Sequence, residues 1–309
     1  MERKKTFPFK RRNKVERSLL NSFSHKYKEL LEQQLRTSVT EMNAPSIIKE
    51  AMLYSLEAGG KRIRPLLLFA TVNAFGEQAE KGLMTAAAVE MIHTYSLIHD
   101  DLPSMDNDDL RRGRPTNHKV FGDAFAILAG DALLTYGFQL ITDSKNVDAE
   151  TKIRLIRELA IAAGAEGMVG GQVADMNGEN KVLTLEELEY IHNHKTGKLL
   201  AFCAVAGAIL SGASDDIIEK FRAFALHLGL AFQIRDDILD LEGQEEKLGK
   251  PVGSDEHNHK STYPALLTMD GAKHTLEKEI EAAKSLLKAT SVNTQLLEEL
   301  TDLVATRDH

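Results

Sequence analysis

Two aspartate clusters stand 136 positions apart, each at the end of an apolar stretch with helical spacing. The first is Asp100-Asp101-Leu-Pro-Ser-Met-Asp106, the second Asp236-Asp237-Ile-Leu-Asp240. Carboxylates beside apolar sequence are costly to desolvate unless positive charge sits among them. Two such clusters facing one another would hold hard divalent cations, which take oxygen ligands and keep open positions for phosphate oxygens. The chemistry expected is capture of a diphosphate through metal ions at the mouth of an apolar cavity.

Basic groups bracket these acids. Gly59-Gly-Lys-Arg-Ile-Arg-Pro65 spaces Lys61 and Arg64 at i, i+3 where a helix is expected to start. Helix N-termini with flanking glycines favour anions. Arg111 and Arg112 follow the first acidic cluster, and Lys195-Thr196, Lys250 and Lys260 fall near expected helix breaks. Arginine forks suit bidentate phosphate contacts and lysine supplies a mobile point charge. His93 precedes Asp100 by seven residues, close to two helical turns, so the two share a face roughly 10 Å apart. It is placed either as a hydrogen-bonded core histidine or as a ligand for a second phosphate. Asp236 and Asp240 lie at i, i+4 on one helix face with Gln233 a turn earlier; a metal would relieve their repulsion. Pro103 disfavours helix at Leu102, so Asp106 must curl back to reach Asp100. Asp108 and Asp109 read as a solvated acidic loop. The chain has no nucleophile elbow, Walker loop or dinucleotide fingerprint. Metals and cations acting directly on a leaving group therefore fit better than covalent catalysis.

The elements that must position these residues are helical. Apolar residues recur at three- and four-residue spacing, as in Ile217, Ile218, Phe221, Ala225, Leu228 and Phe232. Thr184-Leu-Glu-Glu187 forms a capping box ahead of Leu188 and Ile191. No alternating strand pattern and no Asn-Gly hairpin between apolar runs is present. The expectation is an all-α, single-domain antiparallel bundle around an apolar cavity over residues 15–309, preceded by a basic, solvated tail at 1–14. That tail holds seven Lys or Arg and one acid. No apolar h-region follows it, so it is not a secretory signal.

At 309 residues the chain can bury a large core. Its net charge of -8 gives no global support to a nucleic-acid partner. The longest near-apolar run, Leu199 to Leu210, falls short of the roughly 20 residues that span a bilayer, so no transmembrane segment is expected. One cysteine, Cys203, cannot form an internal disulfide; it fits a buried position and a reducing, cytoplasmic setting.

Together the motifs Gly-Gly-Lys61-Arg-Ile-Arg64-Pro, Asp-Asp-x-x-x-x-Asp followed by Arg-Arg-Gly, Lys195-Thr196-Gly, Gln233-x-x-Asp-Asp-x-x-Asp, and Lys250 resemble those of the trans-isoprenyl diphosphate synthases, most closely the bacterial short-chain branch. The resemblance spans residues 45–265, and the basic tail looks like an addition. It implies a homodimer, Mg²⁺ (with Mn²⁺ as a substitute), and condensation of isopentenyl diphosphate with dimethylallyl or geranyl diphosphate. Carried over, it implies Asp100, Asp106 and Asp236 as metal ligands with Asp101 and Asp240 supporting. Lys61, Arg64, His93 and Arg112 would hold isopentenyl diphosphate. Arg111, Lys195, Gln233, Lys250 and Lys260 would surround the allylic diphosphate, with Thr196 near the reacting carbon. Gln172 and Asp175 would line the same pocket. An aromatic at Tyr95 is associated in the family with stopping at fifteen carbons, farnesyl diphosphate, although ideal helix geometry turns Ser96 rather than Tyr95 toward Asp100.

A geranylgeranyl diphosphate synthase shares every motif except the pocket floor. A non-catalytic partner subunit would be expected to lose one acidic cluster, and a terpene cyclase more often carries an Asn/Ser/Glu second metal motif. A di-iron carboxylate bundle draws on Glu90-x-x-His93 and Glu189-x-x-His192, but leaves the basic clusters and both aspartate motifs unexplained.

Overall fold

The computed structural model describes residues 16–242 and 261–307; Lys250, Lys260 and the basic tail lie outside these residues. The architecture is all-α. In chain order the helices are α1 (Glu16–Thr40), α2 (Ser46–Leu56), α3 (Ile63–Ala74), α4 (Leu83–Asp100), α5 (Asn117–Phe121), α6 (Asp123–Thr142), α7 (Ala149–Ala163), α8 (Met168–Gly178), α9 (Leu185–Ile191), α10 (Lys198–Leu210) and α11 (Asp215–Glu242). After the undescribed segment come α12 (Tyr263–Lys288) and α13 (Gln295–Thr306).

The expected periodicity builds these helices. On α1, Leu20, Tyr27, Leu31, Leu35 and Val39 form one buried stripe. On α11, Ile218, Phe221, Ala225 and Leu228 are buried, while Ile217 and Phe232 pack at the core's margin. The capping box is present: the Thr184 hydroxyl accepts from Glu187 N–H and the Glu187 carboxylate accepts from Thr184 N–H. Helix α10 is buried from Leu199 to Leu210, and α3, α4, α7 and α11 pack around it. Cys203 lies inside α10, and burial pushes its thiol pKa far up, which makes it an inert core residue.

Two features depart from the expectations. Leu110–Arg111 and Arg114–Pro115 pair as a two-residue antiparallel hairpin. Its central residues, Arg112 and Gly113, both hold positive φ, 54° and 74°. That is the geometry of a type I′ turn, reached here without Asn-Gly. The other is α6, which is long and apolar enough to cross a membrane by composition, although Asp123 and Asp131 interrupt its sequence. Its Ala126, Ala129, Gly130, Leu133 and Gly137 are buried, and α4 and α2 pack against it. Phe125, Ile127 and Leu128 remain exposed.

Candidate active site

The first acidic cluster hangs from the end of α4. The helix stops at Asp100, as Pro103 requires, and the chain turns so that Asp106 N–H donates to the Asp100 carbonyl at 2.9 Å. The curl that helical arithmetic could not supply is thus a backbone turn, with Asn107 at φ 53°. The neighbouring aspartates have separate surroundings. Asp100 accepts from Gln172 Nε2 at 2.5 Å and lies 3.9 Å from Lys195 Nζ. Asp106 is exposed. Asp101 is buried and accepts from Arg111 Nε at 2.6 Å. Burial raises the pKa of Asp101, with the Arg111 hydrogen bond and charge opposing. Asp101 therefore anchors Arg111, and its carboxylate is not open at the surface.

The second cluster divides in the same way along α11. Asp236 is half exposed, its carboxylate 2.7 Å from Arg307 Nη2. Asp237 is buried and accepts from Tyr263 N–H at 2.9 Å, fixing the start of α12. Asp240, expected on the open face with Asp236, is also buried. Among the described residues no three His, Cys, Asp or Glu side chains converge on a closed metal site. The exposed Asp106, the half-exposed Asp236 and the partly open Asp100 nevertheless suit a hard cation that takes one or two protein oxygens and completes its shell with substrate phosphates.

Lys195 and Thr196 sit on a six-residue π-helical segment, His192–Gly197, between α9 and α10. A break was expected here; the chain widens a turn instead, a distortion frequent at functional sites. Two glycines that sequence reasoning did not single out allow it to pack. A Cβ on Gly171 of α8 would stand 2.1 Å from Lys195 N, and one on Gly229 of α11 2.9 Å from Gly197 Cα. The widened turn is therefore gripped between α8 and α11. Lys195 Nζ bonds Asp175 at 2.7 Å, so Gln172 and Asp175, one turn apart on α8, hold Asp100 and Lys195 respectively.

A cavity of about 160 Å³ beside this segment is lined by Asp175, His192, Lys195, Thr196, Gln233, Asp237 and Thr262, among others. A second, of about 410 Å³, is lined by Gly60, Lys61, Arg62, Ile63, Arg64, Glu90, His93, Arg112, Thr196, Leu200, Phe232 and Ala58. Thr196 lines both. Lys61 does not share a helical face with Arg64, because α3 starts only at Ile63, after Arg62 in the left-handed region. Arg112 reaches across from the hairpin and donates to the Gly59 carbonyl. Gly60, at φ 134°, holds a backbone conformation that favours glycine, and a Cβ there would also press on the Arg112 guanidinium at 2.8 Å, displacing it.

Arg64 Nη1 stands 3.4 Å from His93 Nε2. Burial first, then Arg64 and Arg112, hold the His93 pKa well below the usual imidazole range. His93 is therefore neutral at pH 7, with Nε2 the acceptor toward Arg64 and the proton on Nδ1. Arg64 Nε is buried without a hydrogen-bond partner. Orphaned cationic donors around a cavity suit an incoming anion. The remaining expected residue, Tyr95, is buried on α4 with its ring edge-on to His99 at 5.7 Å, and lines neither cavity.

The di-iron alternative does not assemble. Glu90 is paired with Arg62, Glu189 accepts from Tyr263 Oη at 3.3 Å, and His192 lies 3.7 Å from Asp237.

Residues 45–303 match the polyprenyl synthetase family. The chain belongs to that family. It is 59% identical over 292 residues to the farnesyl diphosphate synthase of Bacillus subtilis (strain 168), covering 94% of this chain and 99% of the relative. It is likewise 59% identical over 292 residues to the farnesyl diphosphate synthase of Geobacillus stearothermophilus, covering 94% and 98%. Among solved structures, the geranylgeranyl pyrophosphate synthetase of Pyrococcus horikoshii Ot3 superposes with a TM-score of 0.85 at 29% identity, over 95% of this chain and 100% of that one. Enzymes of this family use divalent metal ions.

Proposed function

We propose that the chain is a farnesyl diphosphate synthase, condensing isopentenyl diphosphate with dimethylallyl or geranyl diphosphate. The observation that carries this reading is Thr196, which lines both cavities. One cavity carries Lys195 and Gln233 close to the exposed acids. The other carries Lys61, Arg64, His93 and Arg112. Two diphosphates held apart in this way would bring their hydrocarbon ends together near Thr196. Identity at 59% to two farnesyl diphosphate synthases supports the fifteen-carbon product over geranylgeranyl diphosphate.

In this reading Asp100, Asp106 and Asp236 hold Mg²⁺, which when bound stabilises the negative charge growing on the departing diphosphate. Lys195, Gln233 and Arg111 orient that diphosphate, together with Lys250 and Lys260. Asp101 and Asp240 support the ligands from below the surface, Asp101 by fixing Arg111. The allylic C–O bond breaks, the electron pair leaves with the diphosphate, and the isopentenyl alkene attacks the allylic carbocation to form the new C–C bond. The released diphosphate accepts the proton lost from the adjacent carbon. The π-helical turn that carries Thr196 would set backbone carbonyl dipoles beside the cation. Neutral His93 leaves Lys61, Arg64 and Arg112 to carry the charge for isopentenyl diphosphate.

Residues 15–309 act as one catalytic unit in this reading, in the cytoplasm. The exposed Phe125, Ile127 and Leu128 on α6 support a homodimer over a membrane span, since the same helix buries its opposite face in the bundle. Radiolabelled isopentenyl diphosphate with each starter, followed by chain-length analysis, tests the activity. Farnesyl diphosphate is expected as the main product, and Tyr95→Ala should shift output toward twenty carbons while condensation continues. A folded, active Tyr95→Ala variant that still stops at fifteen carbons would place the floor on another helix.

A further inference from the structure

Arg62 sits between Lys61 and Arg64, yet its side chain points into the protein and is only 1% exposed. It pairs with Glu90 of α4, itself buried, and donates from Nη2 to the Leu56 carbonyl at 2.5 Å. Its Nε lies 3.7 Å from Glu32. Both Nη groups are thus committed to the scaffold. The backbone of Arg62 is left-handed, φ 54°, and Gly59 and Gly60 just before it also have positive φ, 83° and 134°. Gly59 and Gly60 adopt positive φ freely, whereas Arg62 does so against its own preference and needs something to hold it there. The side chain of Arg62 ties the segment at two points, the end of α2 through Leu56 and the middle of α4 through Glu90. Glu90 lies one helical turn before His93 and lines the same cavity. It is also an electrostatic partner of Arg64 and Arg112.

We propose that Arg62 is a positioning residue: its buried pair with Glu90 locks the left-handed turn 59–62 and so aims Lys61 and Arg64 at the diphosphate of isopentenyl diphosphate. This rests on the reading of the 410 Å³ cavity as that substrate's site. The cradle is then held from beneath by a cation whose two Nη groups are spent on the scaffold, although Arg62 also borders the cavity. Glu90 is the buried counter-charge that keeps Arg62 from turning toward the anion.

The test is calorimetric titration of isopentenyl diphosphate, without a starter, into Lys61→Ala, Arg62→Lys and Arg62→Met. A parallel titration uses a non-hydrolysable thiolo analogue of dimethylallyl diphosphate with Mg²⁺. Lys61→Ala and Arg62→Met should each weaken isopentenyl diphosphate about tenfold or more. Arg62→Lys, which keeps the charge near Glu90 but cannot span to Leu56, should weaken it about three- to tenfold. Affinity for the allylic analogue should stay within about threefold. In turnover, KM for isopentenyl diphosphate should rise more than kcat falls.

An unchanged Lys61→Ala variant would mean that the cavity has been misread. If Lys61→Ala weakens binding while folded Arg62→Met stays within twofold of the parent, the positioning role is wrong. Equal losses for both substrates would reduce Arg62 to a core residue and overturn the proposal too. Should Arg62→Met fail to melt cooperatively, the double variant Arg62→Met with Glu90→Met, which leaves no lone buried acid, replaces it. If that also fails, Arg62→Lys decides, and parent-like affinity there counts against the proposal.

Discussion

The aspartates of each motif divide into more open and buried members, and the roles proposed for them follow that division. Asp106 is exposed, Asp236 half exposed and Asp100 only partly open, its side chain 14% exposed, whereas Asp101, Asp237 and Asp240 are buried. Losing a metal ligand should remove several kcal/mol of leaving-group stabilisation, and each ~1.4 kcal/mol is tenfold in rate. Asp100→Ala and Asp236→Ala should therefore lose about a hundredfold or more in kcat while keeping the parent's circular dichroism. Near-normal turnover in either folded variant would remove it from the metal set. Asp237→Ala should behave differently, losing stability through its tie to Tyr263 before any effect on metal dependence. His93 makes a pH prediction. Its folded pKa is depressed, by burial and then by the arginines. The unfolded chain therefore binds the extra proton first. Stability from this group is complete above the unfolded imidazole pKa of roughly 6.5 and is lost as pH falls from there toward the folded value. Urea titrations from pH 7.5 to 5 should show that decline, and His93→Gln, neutral throughout, should flatten it.

At the scale of elements, the widened turn at His192–Gly197 depends on what packs against it. Gly171→Ala places a methyl against the Lys195 backbone at 2.1 Å, where only backbone movement can relieve it. Overpacking of this kind costs about 1–3 kcal/mol. The variant should melt lower and, because Lys195 and Thr196 shift with the turn, lose more in kcat than its stability explains. Activity equal to the parent at a temperature where both are folded would show that the turn tolerates displacement. This contact also marks the limit of what was legible beforehand. Helix ends and faces carried by local chemistry were readable: the Thr184 cap, the stop before Pro103 and the apolar stripe of α11. The π turn was legible only as an interruption, since nothing in His-Asn-His-Lys-Thr-Gly distinguishes a break from a widening. The hairpin at Arg112-Gly113 lacks the usual residues because its strands are two residues long and are held by tertiary neighbours. Gly171, Gly229 and the Arg62–Glu90 pair were invisible for another reason: each acquires meaning from a partner distant in sequence.

The whole molecule brings its far end back to the site. Arg307, just beyond α13, bonds Asp236 at 2.7 Å, donates to the Phe232 carbonyl at 2.7 Å and lies over the Phe232 ring at 3.7 Å. Arg235 in turn donates to the Arg307 carbonyl at 3.0 Å and 2.5 Å. Five contacts thus tie residues 232–236 to the end of α13, so that a cation from the chain itself meets the carboxylate expected to meet a metal. Magnesium bound through Asp236 would compete with Arg307 for the same oxygen. Arg307→Ala leaves the carboxylate half exposed to water, so the ion pair itself contributes little. The greater loss is the buried guanidinium's hydrogen bond and its stacking on Phe232, together about 1–3 kcal/mol. The variant should therefore melt below the parent without metal. With Mg²⁺ and inorganic diphosphate present, ligand binding stabilises whichever form binds more tightly. With its competitor removed, Asp236 should bind metal more readily, so the gap in melting temperature between variant and parent should narrow. Titration with Mn²⁺, read by its electron paramagnetic resonance, should show tighter binding in Arg307→Ala at matched diphosphate concentration. Weaker Mn²⁺ binding would reverse the assignment, making Arg307 the group that orients Asp236 for the metal instead of the group that occupies it.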